Sequence, residues 1–270
     1  CCERAAGFVF ESEILIEAGM VNISINDLRV LLQHYQITDQ ARIDTLVGMA
    51  RAAKEPAWWL PYKDVLSPEF STFLSYESAA SIIRNFEPIL VPGLLQTEEY
   101  ARAALAATVP PVATPGADQL GKVDSLVELR MERQDRLAQS SDKPKLFFAM
   151  DEAVLHHAVG GPEVMRRQLQ RLRATLADPD STVWIVPYSA GLYQLMRGSY
   201  VLFELPMAED NEDILYIEDF RGELLIRDDS QEAAVYLEAF WRIEQSALKN
   251  EDASGLVERA MDDLEQSSRT

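Results

Sequence analysis

Residues 76–103 read YESAASIIRNFEPILVPGLLQTEEYARA. The first half of this segment predicts a helix that runs into a strand near Phe86. Pro88 and Pro92 then bracket a short extended piece, because the residue before a proline is kept out of the helical conformation. Residues 96–107 follow with the apolar spacing of an amphipathic helix. Helix and strand thus alternate closely, which favours a domain that contains both.

The rest of the chain extends the same mixture. Gly160-Gly161-Pro162 predicts a helix start, because proline is well placed in a first helical turn. Apolar runs predict strands at residues 145–150 and 182–186. An antiparallel meander is predicted over residues 199–205, 214–218 and 223–227, with helices over 118–140, 230–248 and 253–264. The predicted class is α+β: a larger mixed domain with an antiparallel sheet and packed helices.

The first 57 residues have a different, all-helical pattern. Asn26-Asp27 and Thr38-Asp39 are predicted to cap two short helices, since such side chains accept hydrogen bonds from the first turn. We therefore predict two domains, a small helical module at residues 1–57 and an α+β domain at residues 58–270 that binds a ligand or substrate.

Two parts of the chain resemble known regulators. CERAAGFVFESEILIEAGMV at residues 2–21 is similar to the second and third helices of an Xre-type helix-turn-helix, with residues 11–16 as the recognition helix. From Trp58 onward the chain resembles the C-terminal, antitoxin-like domain of undefined biochemistry in actinobacterial helix-turn-helix regulators. The stretches that carry this resemblance are WW at 58–59, residues 76–103, LRMERQDRL at 129–137, MDEAVLHHAVGGPEVMRRQLQRL at 150–172 and VWIVPYSAGLY at 183–193.

The resemblance implies a small-molecule-sensing or protein-sensing domain. Candidate partners are a small-molecule substrate or effector, a small protein, and a second copy of the chain in a homodimer. The charge argues against DNA as a partner. The chain carries 25 basic against 44 acidic side chains, a net charge of −19, whereas affinity for DNA comes largely from cations that neutralise phosphates. Residues 1–53 alone hold four arginines against seven carboxylates, net −3, and Glu11 and Glu13 lie on the recognition helix. The DNA-reading motif is therefore predicted to be degenerate.

The composition also bears on the cellular location and on metal or cofactor binding. No apolar run approaches the ~20 residues that span a bilayer, so no membrane is expected. Cys1 and Cys2 are adjacent, without further ligands at metal-binding spacing, and they predict neither a disulfide framework nor a metal site. A reducing cytoplasm is the expected location. The sequence has no phosphate-binding glycine loop or zinc motif, and we expect no cofactor.

Departures from the family pattern mark candidate site residues. His156 and His157 stand where that pattern carries arginines, and histidine can serve as a general acid or base near neutral pH. The alternative is that one or both face solvent. The loop at residues 192–197 is bulkier than in the family, so Tyr193, Met196, Arg197 and Tyr200 are predicted to line a substrate pocket.

Arg84 has two interpretations. It forms a buried charge set with Glu77 and Glu87, or it binds a carboxylate or enolate of the substrate through two parallel hydrogen bonds.

Two functions fit these residues. The first is a regulator-like scaffold that no longer reads DNA and acts on a small molecule. It would be a cofactor-independent cyclase or dehydratase, catalysing dehydration, conjugate addition or cyclisation in actinobacterial specialised-metabolite (natural product) biosynthesis. The second is an Xre-family transcriptional regulator or antitoxin-like protein that a partner or effector controls.

Overall fold

A computed structural model describes residues 23–52, 57–108, 119–179, 181–206, 213–219, 222–226 and 230–267. The chain divides into two units, residues 1–60 and 61–270. The predicted recognition helix at residues 11–16 lies outside the described part.

The first unit contains two described helices, α1 (Ile25–His34) and α2 (Gln40–Ala52). The Ser24 hydroxyl caps α1 by accepting a 3.1 Å hydrogen bond from the Asp27 amide. The predicted cap at Asn26-Asp27 is therefore wrong. The chain is still extended at Ser24 and already helical at Ile25, so Asn26 and Asp27 form part of the first turn.

The second unit holds the remaining elements. The 3-10 turns at Gly93–Leu95, Glu152–Leu155 and Tyr188–Ala190 lie in its connections. Its helices are α3 (Pro68–Ala79), α4 (Glu98–Thr108), α5 (Gln119–Gln139), α6 (Pro162–Leu176), α7 (Ser230–Ser246) and α8 (Asn250–Ser267). Its strands are β1 (Ile82–Glu87), β2 (Lys145–Asp151), β3 (Thr182–Val186), β4 (Ser199–Glu204), β5 (Ile214–Asp219), β6 (Gly222–Ile226) and β7 (Leu248–Lys249).

Within the described residues these strands form one sheet in the order β6-β5-β4-β1-β2-β3-β7. The α+β class is confirmed, and β4, β5 and β6 form an antiparallel meander. The centre of the sheet differs from the sequence-based expectation, because β1, β2 and β3 run parallel. Parallel neighbours require a crossover. Here α4 and α5 lie between β1 and β2, and α6 lies between β2 and β3.

Helices cover both faces of the sheet. On the first face, α7 packs Phe240 against Phe86 and Trp184; we call this the α7 face. On the second, the α6 face, Met150 and Ile185 pack against apolar side chains of α6 and α8. Because successive strand residues point to opposite faces, Arg84 and Phe86 lie on the α7 face, and Asn85 and Glu87 on the α6 face.

No helix in the described ranges is long and apolar enough to cross a membrane.

Candidate functional site

The carboxyl ends of the three parallel strands meet at one edge of the sheet. β1 ends at Glu87, β2 at Asp151 and β3 at Val186. In sheets with parallel strands, ligands bind preferentially at this edge. A ligand site is therefore expected at the loops that follow these strands.

Two adjoining grooves lie there. The strand-end groove, of about 390 Å³, is lined by residues that follow each parallel strand: Pro88, Ile89, Asp151, Ala153, Pro187, Tyr188, Gly191, Met196 and Arg197. The loop groove, of about 530 Å³, is lined by Leu192, Tyr193, Leu195, Met196, Arg197, Gly198, Ser199, Ile217 and Tyr236. Met196 and Arg197 line both grooves.

Tyr193 ties the loop between them to the sheet. Its hydroxyl donates a 2.6 Å hydrogen bond to Asp151 Oδ2, and its ring meets Phe86 edge-on at 6.0 Å between centroids. Asp151 Oδ1 accepts a 2.9 Å bond from the Ala153 amide. Gly191, with φ of 68°, lets the chain turn into this loop in a conformation that other residues adopt at a cost.

The two tyrosines predicted for the pocket, Tyr193 and Tyr200, both have raised pKa values. Burial, then the hydrogen bond to Asp151, raises the pKa of Tyr193. Burial also raises the pKa of Tyr200, whose ring packs 5.3 Å from Phe86 and 4.9 Å from Tyr236. The Tyr200 hydroxyl is buried and has no hydrogen-bond partner in the described part of the chain.

The two histidines are exposed. His156 stacks on Tyr188 with centroids 5.7 Å apart, and its Nε2 lies 3.6 Å from Glu152 Oε1. Glu152 Oε2 accepts a 2.6 Å bond from the Tyr188 amide. His157 Nδ1 lies 2.8 Å from the Ala153 carbonyl oxygen. His156 thus contacts the rim of the strand-end groove through Tyr188, and the described lining of both grooves contains neither histidine.

Arg84 does not join this site. It is the third residue of β1 and lies on the α7 face, where Nη2 donates a 3.1 Å bond to Glu204 Oε2. The guanidinium carbon lies 5.7 Å from the Phe147 ring centre and 5.3 Å from that of Trp241. Nε and Nη1 are buried without a partner in the described residues. The structure brings together Tyr193, Met196 and Arg197, with Tyr200 behind them.

The predicted charge set of Glu77, Arg84 and Glu87 is wrong. Glu77 pairs with Arg133 of α5 at 2.5 Å. Arg84 and Glu87 lie three residues apart on one strand, so their side chains point to opposite faces of the sheet.

Sequence reasoning missed the contacts that hold the β1–α4 connection, whose first residues Pro88 and Ile89 line the strand-end groove. Gln134 Nε2 donates to the carbonyls of Gly93 and Gln96, at 2.8 and 3.0 Å. Gln168 Nε2 donates to the Leu95 carbonyl at 2.8 Å, and Gln96 Nε2 to that of Val91 at 2.7 Å. We call Gln96, Gln134 and Gln168 the glutamine clamp. Gln134 on α5 and Gln168 on α6 stand at positions where the helical spacing predicts apolar, core-facing residues. This pattern is the signal that could have indicated the clamp.

Beside the clamp, two charged groups on the α6 face have shifted pKa values. Burial raises the pKa of Glu87 to about 8, against a hydrogen bond from Asn85 that lowers it. Burial lowers the pKa of Arg130 to about 10, and its Nη1 donates a 2.6 Å bond to Gln96 Oε1.

The described residues contain no group of three or more His, Cys, Asp or Glu side chains that could hold a metal ion. A sequence model of the family described as "Domain of unknown function (DUF5753)" matches residues 70–259. No curated protein and no solved structure matches the chain. The helix-turn-helix resemblance of residues 2–21 stays a prediction.

Proposed function

This chain belongs to the DUF5753 family, and we propose that its large unit is a small-molecule-binding domain whose ligand occupies the two grooves. The observation that carries this proposal is the convergence of both grooves on Met196 and Arg197 at the carboxyl edge of the parallel strands. An effector-controlled regulator is the function that such a site supports best.

Two chain segments that contribute residues to the grooves are prearranged for binding. The glutamine clamp fixes the connection after β1, and the Tyr193–Asp151 bond fixes the loop after β3. A site that is ordered before the ligand arrives loses less conformational entropy on binding. These bonds support a binding role without any assumption about catalysis.

The geometry gives less support to catalysis. A general base must lie within hydrogen-bond reach of the proton that it removes. His156 and His157 contact only the rim or the surface, and Tyr193 keeps its proton because its pKa is raised. We therefore place ligand binding ahead of turnover.

A cofactor-independent cyclase or dehydratase of specialised metabolism is the second candidate. It is favoured by two pairs of polar side chains at the same edge, Tyr193 with Asp151 and His156 with Glu152. Such a pair would supply the general acid or base for a substrate that is folded against the apolar groove walls.

A groove-filling substitution tests the binding site. A Cβ at Gly198 would meet no atom within 4 Å, and Gly198 lines the loop groove. Gly198→Leu should therefore fold and fill the groove. In thermal-shift screening against a metabolite library, compounds that stabilise the wild type should not stabilise this variant.

Gly48→Leu is the matched control, because a Cβ there also meets open space and Gly48 lies in α2 of the other unit. Compounds that stabilise Gly198→Leu and the wild type equally would exclude the loop groove. A library without any stabilising compound would contradict the proposal itself.

The enzyme candidate is tested with any compound that binds. If His156 or His157 is catalytic, substitution by alanine should lower kcat by about 100-fold. If the residue only positions the ligand, KM should rise while kcat stays nearly constant. Recovery of every bound compound chemically unchanged after long incubation would exclude the enzyme.

A further inference from the structure

We propose that the ligand of these grooves is a small organic carboxylate with an apolar body, and that Arg197 binds its charged group. This inference rests on the proposed small-molecule function and specifies the class of ligand. It follows from an inventory of hydrogen-bond donors and acceptors at the two grooves.

Three of the four carboxylate oxygens of Asp151 and Glu152 already accept a hydrogen bond from the protein. Asp151 Oδ2 accepts from the Tyr193 hydroxyl and Oδ1 from the Ala153 amide. Glu152 Oε2 accepts from the Tyr188 amide, and Oε1 faces His156 at 3.6 Å. A cationic ligand would have to compete with these internal donors at three of the four carboxylate oxygens.

The donors of Arg197 are not engaged in an ion pair within the described residues. Arg197 lines both grooves and is exposed, and within the described ranges no carboxylate lies within ion-pair distance of it. Its guanidinium offers five N–H donors in a planar fork that matches a carboxylate through two parallel bonds. An arginine at the junction of the two grooves gives an anion a specific place to bind.

Tyr200 provides a second, independent observation. Its hydroxyl is buried and has no partner in the part of the chain that the structure describes, although most buried polar groups are hydrogen-bonded. Its ring packs against Tyr236, which lines the loop groove. A ligand oxygen that reached this hydroxyl would accept its hydrogen bond, as an alkyl group could not.

The remaining walls are apolar and open to solvent. Ile89 of the strand-end groove is 54% exposed and Leu192 of the loop groove 89% exposed, and Met196 lies between them in both linings. Exposed apolar side chains that cluster around a groove often mark a binding surface. They would cover the hydrocarbon or aromatic body of the carboxylate.

A panel of aromatic and aliphatic monocarboxylates, each paired with its uncharged primary amide, tests this inference by ligand-observed NMR and calorimetry. The wild type should bind the best carboxylates at least about tenfold more tightly than their amides, a difference of ~1.4 kcal/mol. Arg197→Gln should abolish this preference. Arg259→Gln, an exposed arginine of α8 on the other face of the sheet, should preserve it.

Tyr200→Phe adds a readout that a purely structural role would not produce. It should weaken carboxylate binding about threefold or more, as expected for loss of one hydrogen bond, while the melting temperature of the free protein does not fall. Unchanged affinity in this variant would remove Tyr200 from the site.

The outcomes separate the two proposals. If the amides bind as tightly as the carboxylates and Arg197→Gln has no effect, the inference is overturned, and the small-molecule function stands. If no panel member binds and the metabolite library also yields no ligand, both proposals fail.

Discussion

The Tyr193 hydroxyl and Asp151 Oδ2 lie 2.6 Å apart, and this bond joins the loop after β3 to the last residue of β2. Asp151 is only 9% exposed. The bond therefore satisfies a carboxylate that water reaches poorly. It also holds Tyr193 in the wall of the loop groove.

Tyr193→Phe should lower the free energy of unfolding by about 1–2 kcal/mol, because it leaves a buried carboxylate oxygen without its donor. Chemical denaturation at neutral pH measures this loss. Tyr188→Phe is the control, since that side chain is exposed and should change stability by less than ~0.5 kcal/mol. Equal stabilities of the two variants would contradict a structural role for the bond.

The Glu77–Arg133 pair is predicted to be sensitive to loss of one partner. Arg133 Nε lies 2.7 Å from both Glu77 oxygens, and the two side chains are 11% and 4% exposed. Glu77→Ala should destabilise the protein by about 3–5 kcal/mol, because it leaves a buried charge unpaired. Arg242→Ala breaks the exposed Arg242–Glu238 pair and should cost less than ~1 kcal/mol in the same denaturation experiment.

Glu87 predicts a pH dependence of stability. Its pKa rises from 4.5 to about 8 on folding because of burial, so between these values the folded state holds a proton that the unfolded state releases. Stability should therefore be greatest at the acidic end and decline as pH rises toward 8.

Glu87→Gln should remove this decline and be more stable than the wild type above pH 8, by an amount on the order of 2 kcal/mol. Unfolding curves across the pH range provide the measurement, with Glu99→Gln, an exposed position on α4, as control. Parallel pH profiles for the wild type and Glu87→Gln would show that this carboxyl titrates normally.

Tyr200 and Tyr100 should respond oppositely to loss of a hydroxyl. The Tyr100 hydroxyl accepts a 3.2 Å bond from the Val91 amide, so Tyr100→Phe should cost about 1 kcal/mol. Tyr200→Phe removes a buried group without a partner and should leave stability unchanged or raise it by up to ~1 kcal/mol. A comparable loss in both variants would indicate a bound water or ligand at Tyr200.

The charge of residues 1–53 predicts that the purified chain selects no specific DNA sequence at physiological salt. Seven carboxylates against four arginines offer few phosphate contacts, and such contacts supply most DNA affinity. Selection from random DNA at ~150 mM salt, where non-specific binding is weak, should return no enriched motif. Enrichment of a palindromic motif would contradict this prediction and would favour a regulator that reads DNA.

Local patterns predicted individual elements well. Residues 182–186 form the strand that their apolar run predicts, and α6 begins at Pro162. The parallel pairing of β1, β2 and β3 was missed, because strand order depends on contacts between residues far apart in sequence. Ile83 pairs with Leu146, and no pattern in the residues around either of them predicts this pairing.

The candidate site, too, was predicted from the sequence only in part. The bulky loop at residues 192–197 predicts a pocket lined by Tyr193, Met196, Arg197 and Tyr200; the first three line the loop groove, whereas Tyr200 is in the described lining of neither groove. The sequence could not place Arg84, since alternation along β1 decides its face only once the sheet is known. Asp151 was missed as well, because a single carboxylate at a strand end resembles any other until its partner Tyr193 is located.

The glutamine clamp has a consequence for the conditions that the site tolerates. Amide side chains do not titrate, and salt does not screen their hydrogen bonds as it screens ion pairs. The hydrogen bonds from Gln134 and Gln168 to the carbonyls of Gly93 and Leu95 should therefore persist at low salt, at high salt and at mildly acidic pH. The conformation of the β1–α4 connection, whose Pro88 and Ile89 line the strand-end groove, should thus change little with salt concentration or mild acid.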